Sequence, residues 1–235
     1  MMVSSRVEEI ISFLNEYTIV GYSTMLQFFN GYYSQIERLF AENDEPIAII
    51  VTGPIASGKS TMVYNLINSH LFGNLDFKST DAYMEYNGII MSSDRKDYYD
   101  KYKALCYKEI ENAIKNKYSF IWETVISKEE KFKWIDIIKN NNYKIIGVYI
   151  GNDNINLNID RARFRENYGK WHVDDKKIIS RYNICMKNLR RFSKLTDETI
   201  IVDTTNNNAC LAAYCEEGNV IYKDNSSCNW INKYI

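Results

Sequence analysis

The residues best suited to chemistry fall in one stretch, Gly53, Pro54, Ile55, Ala56, Ser57, Gly58, Lys59 and Ser60, with Thr61 directly after it. The spacing is that of a P-loop, GxxxxGK[S/T], whose task is to hold a polyphosphate without a protein charge for every oxygen. Glycine lets backbone amides turn inward, and a helix starting at the lysine offers its N-terminal NH groups and dipole to the anion. Lys59 would reach the β- and γ-phosphates from an ammonium that waits in solvent, and the Ser60 hydroxyl would ligate Mg2+. The ligands this chemistry calls for are ATP or GTP with Mg2+.

A second set of candidates is cationic. The chain has nine Arg against twenty Lys, and six of the nine (Arg161, Arg163, Arg165, Arg181, Arg190 and Arg191) lie within 161–191. Arginine grips phosphate in a bidentate fork and does not lose its charge. Arg161 and Arg165 are four apart and share a helical face, so they read as lid donors to a transferring phosphoryl group, with Arg181 behind them; Arg163 points elsewhere. The competing reading is a solvated helix paired with Glu166, Asp174 and Asp175.

Two carboxylates complete the set. Asp81 follows a short strand and could act as base on a substrate hydroxyl, as a metal-linked carboxylate or as a helix N-cap. Glu123 ends an apolar strand, where it could orient Mg2+-bound water, hold substrate hydroxyls or merely face solvent. His172, alone in a loop, is of a type more often structural than catalytic.

The elements that must position these residues alternate. Ile47-Ala48-Ile49-Ile50-Val51 reads as a buried strand ahead of the loop, and Met62, Val63, Leu66, Ile67 and Leu71 line one face of the helix after it. A strand over Leu75–Asp81 follows, then a helix from about Asp97 to Lys117 with Tyr102, Leu105, Ile110 and Ala113 inward. Next come a strand ending in Glu123-Thr124, a helix over Lys128–Asn140, a strand over Tyr143–Ile150 and a fifth strand over Thr199–Asp203. The pattern predicts an α/β fold of the P-loop class, with a mostly parallel five-stranded sheet flanked by helices. Cys210–Cys215 and Val220–Lys223 flank a turn and predict a C-terminal β-hairpin. Before the loop, two heptad-like apolar series predict N-terminal helices.

Composition narrows the partners. Net charge is −1, so no global field recruits nucleic acid or an anionic membrane, which argues against both as ligands. The N-terminal apolar residues are interrupted by Glu8, Glu9 and Glu16, unlike a secretory signal, and no apolar run is long enough to span a bilayer. Five cysteines form neither CxxC nor a ligand cluster with a histidine, which disfavours zinc and a disulfide framework and fits a cytoplasmic protein.

With these residues in view, the chain resembles the zeta toxin family of P-loop kinases. The matching pieces are Gly53 to Thr61, Ser79-Thr80-Asp81, Trp122-Glu123-Thr124-Val125-Ile126-Ser127, Asn158-Ile159-Asp160-Arg161 and onward to Asn188-Leu189, and Asp203 before a Thr/Asn loop. The resemblance implies that Lys59 and Ser60 bind nucleotide phosphate and Mg2+, that Asp81 is the base toward a sugar hydroxyl, and that Glu123 and Thr124 belong to the sugar-nucleotide pocket. It places Arg161 and Arg165 at phosphate-contacting positions. It further implies phosphorylation of UDP-N-acetylglucosamine and an antitoxin that blocks the nucleotide site. Ala56 stands where many members carry Gly, a change suited to a backbone that is not left-handed.

The expected organisation is a helical segment over 1–45 packed on a P-loop kinase domain over 46–235, with a lid at 155–195 and the hairpin at 209–224. The expected activity is transfer of a phosphoryl group from ATP or GTP to a small-molecule hydroxyl, a sugar nucleotide first among acceptors. Kinases of antibiotics, nucleotides or nucleic-acid ends, and a non-enzymatic nucleotide switch, are the rivals.

Overall fold

The computed structural model describes residues 45–68, 75–89, 95–205, 209–224 and 228–235. The N-terminal helices expected before the P-loop lie outside the described residues. Seven strands and six helices follow in order: β1 (Ile47–Thr52), α1 (Lys59–Asn68), β2 (Asp76–Lys78), α2 (Thr80–Tyr86), α3 (Arg95–Asn116), β3 (Phe120–Glu123) and α4 (Glu129–Asn140) form the first half. β4 (Lys144–Gly151), α5 (Ile155–Asn167), α6 (Asp175–Leu195), β5 (Glu198–Asp203), β6 (Cys210–Glu216), β7 (Asn219–Lys223) and a 3-10 turn (Asn229–Lys233) form the second.

The strands make one sheet in the order β2-β3-β1-β4-β5-β6-β7. The first five are parallel, and β6 and β7 are antiparallel, so the expected hairpin extends the expected five-stranded sheet rather than standing apart. β1 is buried along its whole length, apolar from Ile47 to Val51 and closed by buried Thr52, because both faces are covered. Its alternation divides the core: Ala48 and Ile50 face the layer built from α3, α4 and α6, while Ile47, Ile49 and Val51 face Met62 and Val63 of α1. β1 pairs with β3 on one side and β4 on the other, so the chain reverses its direction of travel across the sheet there. The loop after β1 therefore opens at a topological switch point, where the strand ends diverge and leave a crevice.

Some expectations shift in detail. Leu105 is 40% exposed, because the buried face of α3 runs Tyr102, Cys106, Ile110 and Ala113, and Leu105 falls one residue out of that phase. β2 stops at Lys78, since Ser79 already caps α2 by accepting from the amide of Ala82 at 3.4 Å. That removes the N-cap reading for Asp81, which sits inside the first turn of α2. Within 155–195, α6 sends Tyr182, Cys185, Met186, Leu189 and Phe192 into the core against the sheet, while its first-turn residue Ile178 packs with Ala162 of α5 against the P-loop residue Ala56. Among the described residues no helix is long and apolar enough to cross a membrane.

Candidate active site

The loop from Gly53 to Gly58 turns back on itself at the end of β1. Gly53 has φ +145°, and a Cβ there would lie 2.0 Å from the Ile150 carbonyl oxygen of β4, so no other residue fits. Ala56 has φ +58°, a left-handed backbone. The condition under which alanine would replace glycine without strain is thus not met. What compensates is burial: the Ala56 methyl packs with Ala162 of α5 and Ile178 of α6, bordered by Ile55, Ile159 and Val173. The chain gives up an unstrained turn for an apolar contact between the loop and the helices over it.

Lys59 corrects the expectation of a solvated ammonium. It is 7% exposed, and its Nζ donates to the Pro54 carbonyl at 2.5 Å inside the loop. Burial lowers its pKa, against the opposing pull of nearby Glu123, and Arg165 adds to the lowering. The Ser57 hydroxyl oxygen, deep in the same loop, is buried and has no hydrogen-bond partner among the described residues. An unsatisfied buried hydroxyl and a buried ammonium held by a single loop carbonyl suit an anionic ligand that would supply acceptors to both.

Ser60, the first residue after Lys59, donates its hydroxyl to Glu123 Oε1 at 2.7 Å. The other carboxylate oxygen of Glu123 accepts from Ser79 at 3.4 Å. Burial raises the Glu123 pKa; Lys59 and the Ser60 and Ser79 hydroxyls work against that rise, and Asp81 adds to it. The ends of β1 and β3 thereby bring an alcohol and a carboxylate together at the loop, the donor set of a hard divalent cation. Asp81 is exposed on α2 and within electrostatic reach of both Lys59 and Glu123. Thr124 continues β3, its backbone N–H donating a hydrogen bond to the Val51 carbonyl, and its side chain is buried.

The arginine cluster divides among several surroundings. Arg163 forms a surface network of the kind the competing reading describes, pairing with Glu166 and Asp175 and touching His172, which itself bonds Glu166. Arg191 forks onto Glu129 at 2.5 and 2.6 Å, Arg181 reaches the Ser127 hydroxyl, and Arg190 is exposed. Arg161 and Arg165 instead face the P-loop, lining with Ala56 to Thr61, Asp160, Phe164, Thr204 and Ala209 a cleft of about 600 Å3. Arg165 is exposed and makes no ion pair among the described residues.

Two positioning groups were not singled out from spacing. Thr204 accepts Arg161 on its carbonyl at 2.7 Å and its hydroxyl at 3.2 Å, while that hydroxyl donates toward the carbonyls of Ser57 and Gly151. Asn158, fully buried on α5, donates to the Ile55 carbonyl at 2.6 Å and accepts from Asn152 at 2.8 Å. Asn158 therefore straps α5 to the residue before left-handed Ala56. Its place in the Asn158-Ile159-Asp160-Arg161 match was the available signal.

Known proteins bear on this arrangement as follows. No curated protein matches the chain. Similar solved chains occur in the AvrRxo1-ORF1:-ORF2 structure with ATP, at TM-score 0.61 and 12% identity, covering 97% of this chain and 70% of that one. Others occur in the PezAT chromosomal toxin-antitoxin system of Streptococcus pneumoniae (TM-score 0.52, 14% identity, 87% and 85% covered) and in the Pnkp1/Rnl/Hen1 RNA repair complex (0.51, 16%, 63% and 46%). At these identities the likeness is one of fold, the mostly parallel sheet of P-loop kinases. The family model described as "Zeta toxin" matches residues 32–219, and its kinase character accords with the loop and cleft described above. By the extent of that match, this chain belongs to the zeta toxin family.

Proposed function

We propose that the chain is a nucleotide-dependent kinase that transfers a phosphoryl group to a hydroxyl of a small molecule, with sugar nucleotides such as UDP-N-acetylglucosamine as the first acceptors to test. The observation that carries this reading is the convergence of Lys59, the Ser60–Glu123 pair and Arg161 with Arg165 on one cleft. In this reading Gly53 to Thr61 cradle the nucleotide phosphates, and Lys59 exchanges the Pro54 carbonyl for phosphate oxygen. Ser60 and Glu123 would hold Mg2+, which would supply positive charge against the nucleotide phosphates. Asp81 accepts the proton of the acceptor hydroxyl as its oxygen bonds to phosphorus, and the nucleoside diphosphate leaves. Arg161 and Arg165 offset negative charge on the transferring group, and Glu123 with Thr124 border the acceptor.

Two solved relatives of the fold support the ligands: one complex contains ATP, and another is a toxin-antitoxin system. On that ground we assign ATP as donor and a protein antitoxin as a partner that would cover the cleft. The test is to incubate the protein with Mg-ATP and a panel of nucleotide sugars and follow acceptor mass. Gain of one phosphoryl group on a sugar nucleotide is the expected result. ATP turnover without any phosphorylated acceptor would favour a nucleotide switch instead.

A further inference from the structure

Away from the P-loop, the fold gathers groups with no part in phosphoryl transfer. Asp203 ends β5, Cys210 begins β6, and Cys228 precedes the terminal 3-10 turn; one ligand-type atom from each lies within 4.8 Å of the others. The sulfurs of Cys210 and Cys228 are 3.8 Å apart, and Cys228 Sγ is 3.4 Å from Asp203 Oδ2. A fourth group, Asp224 Oδ2, is 4.0 Å from Cys228 Sγ. We infer that Asp203, Cys210 and Cys228, with Asp224 as fourth ligand, form a binding site for a thiophilic divalent cation of the zinc class.

Geometry is the first support. Bond lengths of about 2.3 Å to sulfur and about 2.0–2.2 Å to oxygen in a tetrahedron give edges of about 3.8 Å between sulfurs and about 3.5 Å between sulfur and oxygen. The observed 3.8 and 3.4 Å are those edges. A disulfide would need its sulfurs at about 2.05 Å and has no use for a carboxylate beside them.

Charge is the second, independent support. Asp203 is 2% exposed, and among the described residues no Lys or Arg pairs with it. Its Oδ1 accepts from the amide and hydroxyl of Thr205, at 2.9 and 2.6 Å, and among the described residues Oδ2 meets only the Cys228 thiol. Buried carboxylates are normally matched by a cation, and a metal ion bound by two thiolates and carboxylate oxygen supplies that match. Cys228 is itself 1% exposed, so the site is closed on its inner side, as structural metal sites are.

The site also has a position worth having. Asp203 immediately precedes Thr204, the anchor of Arg161, and Ala209 beside Cys210 lines the cleft. A cation there would fasten both ends of the loop bordering the cleft to the C-terminal segment, coupling that segment's folding to the site.

The test uses the full chain, reduced and then exposed separately to Zn2+ and to Co2+, with loosely held metal removed by desalting. One zinc retained per chain is expected, and cobalt should give tetrahedral d–d bands with thiolate charge-transfer absorption. Cys210→Ser and Cys228→Ser should each abolish the charge-transfer change or reduce it by about half, whereas Cys106→Ser, buried elsewhere, should not. The wild-type cobalt spectrum stands even if a variant fails to fold. Failure of the reduced wild type to retain either metal would overturn the inference, as would cobalt bands unchanged in both serine variants or a Cys210–Cys228 disulfide in protein that takes up no metal once reduced.

Discussion

Asn158→Ala tests whether the overhang of α5 sets the P-loop's shape. Asn158 has no exposed surface, and its removal takes a partner from the buried Asn152 side-chain amide and from the part-buried Ile55 carbonyl. An unsatisfied buried group costs roughly 1–3 kcal/mol and a part-buried one less, so the change should cost about 2 kcal/mol or more. For a chain of this size 1 kcal/mol corresponds to about 2–4 °C in Tm, so even the lower bound predicts a fall of about 4 °C. A second effect is local. Ile55 directly precedes Ala56, whose left-handed backbone is uphill for any residue with a Cβ. Without the strap, that turn relaxes and nucleotide affinity should fall together with stability. Differential scanning calorimetry with and without Mg-ATP reads both quantities, and Asn188→Ala, which orphans only the Ile126 carbonyl, provides a single-bond comparison. A Tm within about 2 °C of wild type and unchanged nucleotide affinity would show that the Asn158 bonds do not hold the loop.

Four further outcomes follow from the same geometry. Ala56→Gly gains about 1–2 kcal/mol by removing left-handed strain, loses about 0.8 kcal/mol of methyl burial and loses about 0.5–1 kcal/mol to glycine's chain entropy; the net stability change should lie within about 1 kcal/mol of zero, as measured by thermal unfolding. Arg165→Ala should leave stability within about 0.5 kcal/mol and lower kcat by about 10²-fold or more, whereas Arg161→Ala should also destabilise, because Arg161 binds Thr204; steady-state kinetics beside thermal melts separates the two. Asp81→Asn should keep stability within about 1 kcal/mol, since Ser79 is the cap, yet abolish transfer to any hydroxyl acceptor while ATP still binds in equilibrium titration. Finally, burial raises the Glu123 pKa above that of the unfolded chain. The folded state therefore holds this proton to higher pH, and the stability Glu123 contributes is greatest below its unfolded pKa and falls as pH rises through the folded one. Activity needs the carboxylate and should rise over that same window, so opposing trends in melts and kcat, both removed by Glu123→Gln, are expected.

Much of the fold could be read from local pattern. β1 opens with a run of five apolar residues, four of them β-branched, and the GxxxxGK[S/T] spacing that follows is read within a few residues of chain, although the clash that reserves position 53 for glycine comes from the distant Ile150 carbonyl. The same holds for the hairpin, where Glu217 and Gly218 both take positive φ in the turn between β6 and β7. Helix phase was less secure: Leu105 and Cys106 are adjacent and both apolar, and only the sheet beneath α3 selects Cys106 for burial.

Of the site, residue types and spacing determined that Lys59 and Ser60 follow a phosphate-cradling loop and that Arg161 and Arg165 share a face, because both facts are set within a few residues of chain. Tertiary structure decided the rest. It buries Lys59 on Pro54, gives Ser60 to Glu123 across 63 positions, spends Arg163 on the surface network, and assigns Arg161 to Thr204. It also assembles Asp203, Cys210 and Cys228, whose spacings match no ligand motif. Such contacts join chain segments that meet only when β1 pairs between β3 and β4 and the hairpin closes on β5, and no local preference of the residues encodes which distant group will fill the space beside them.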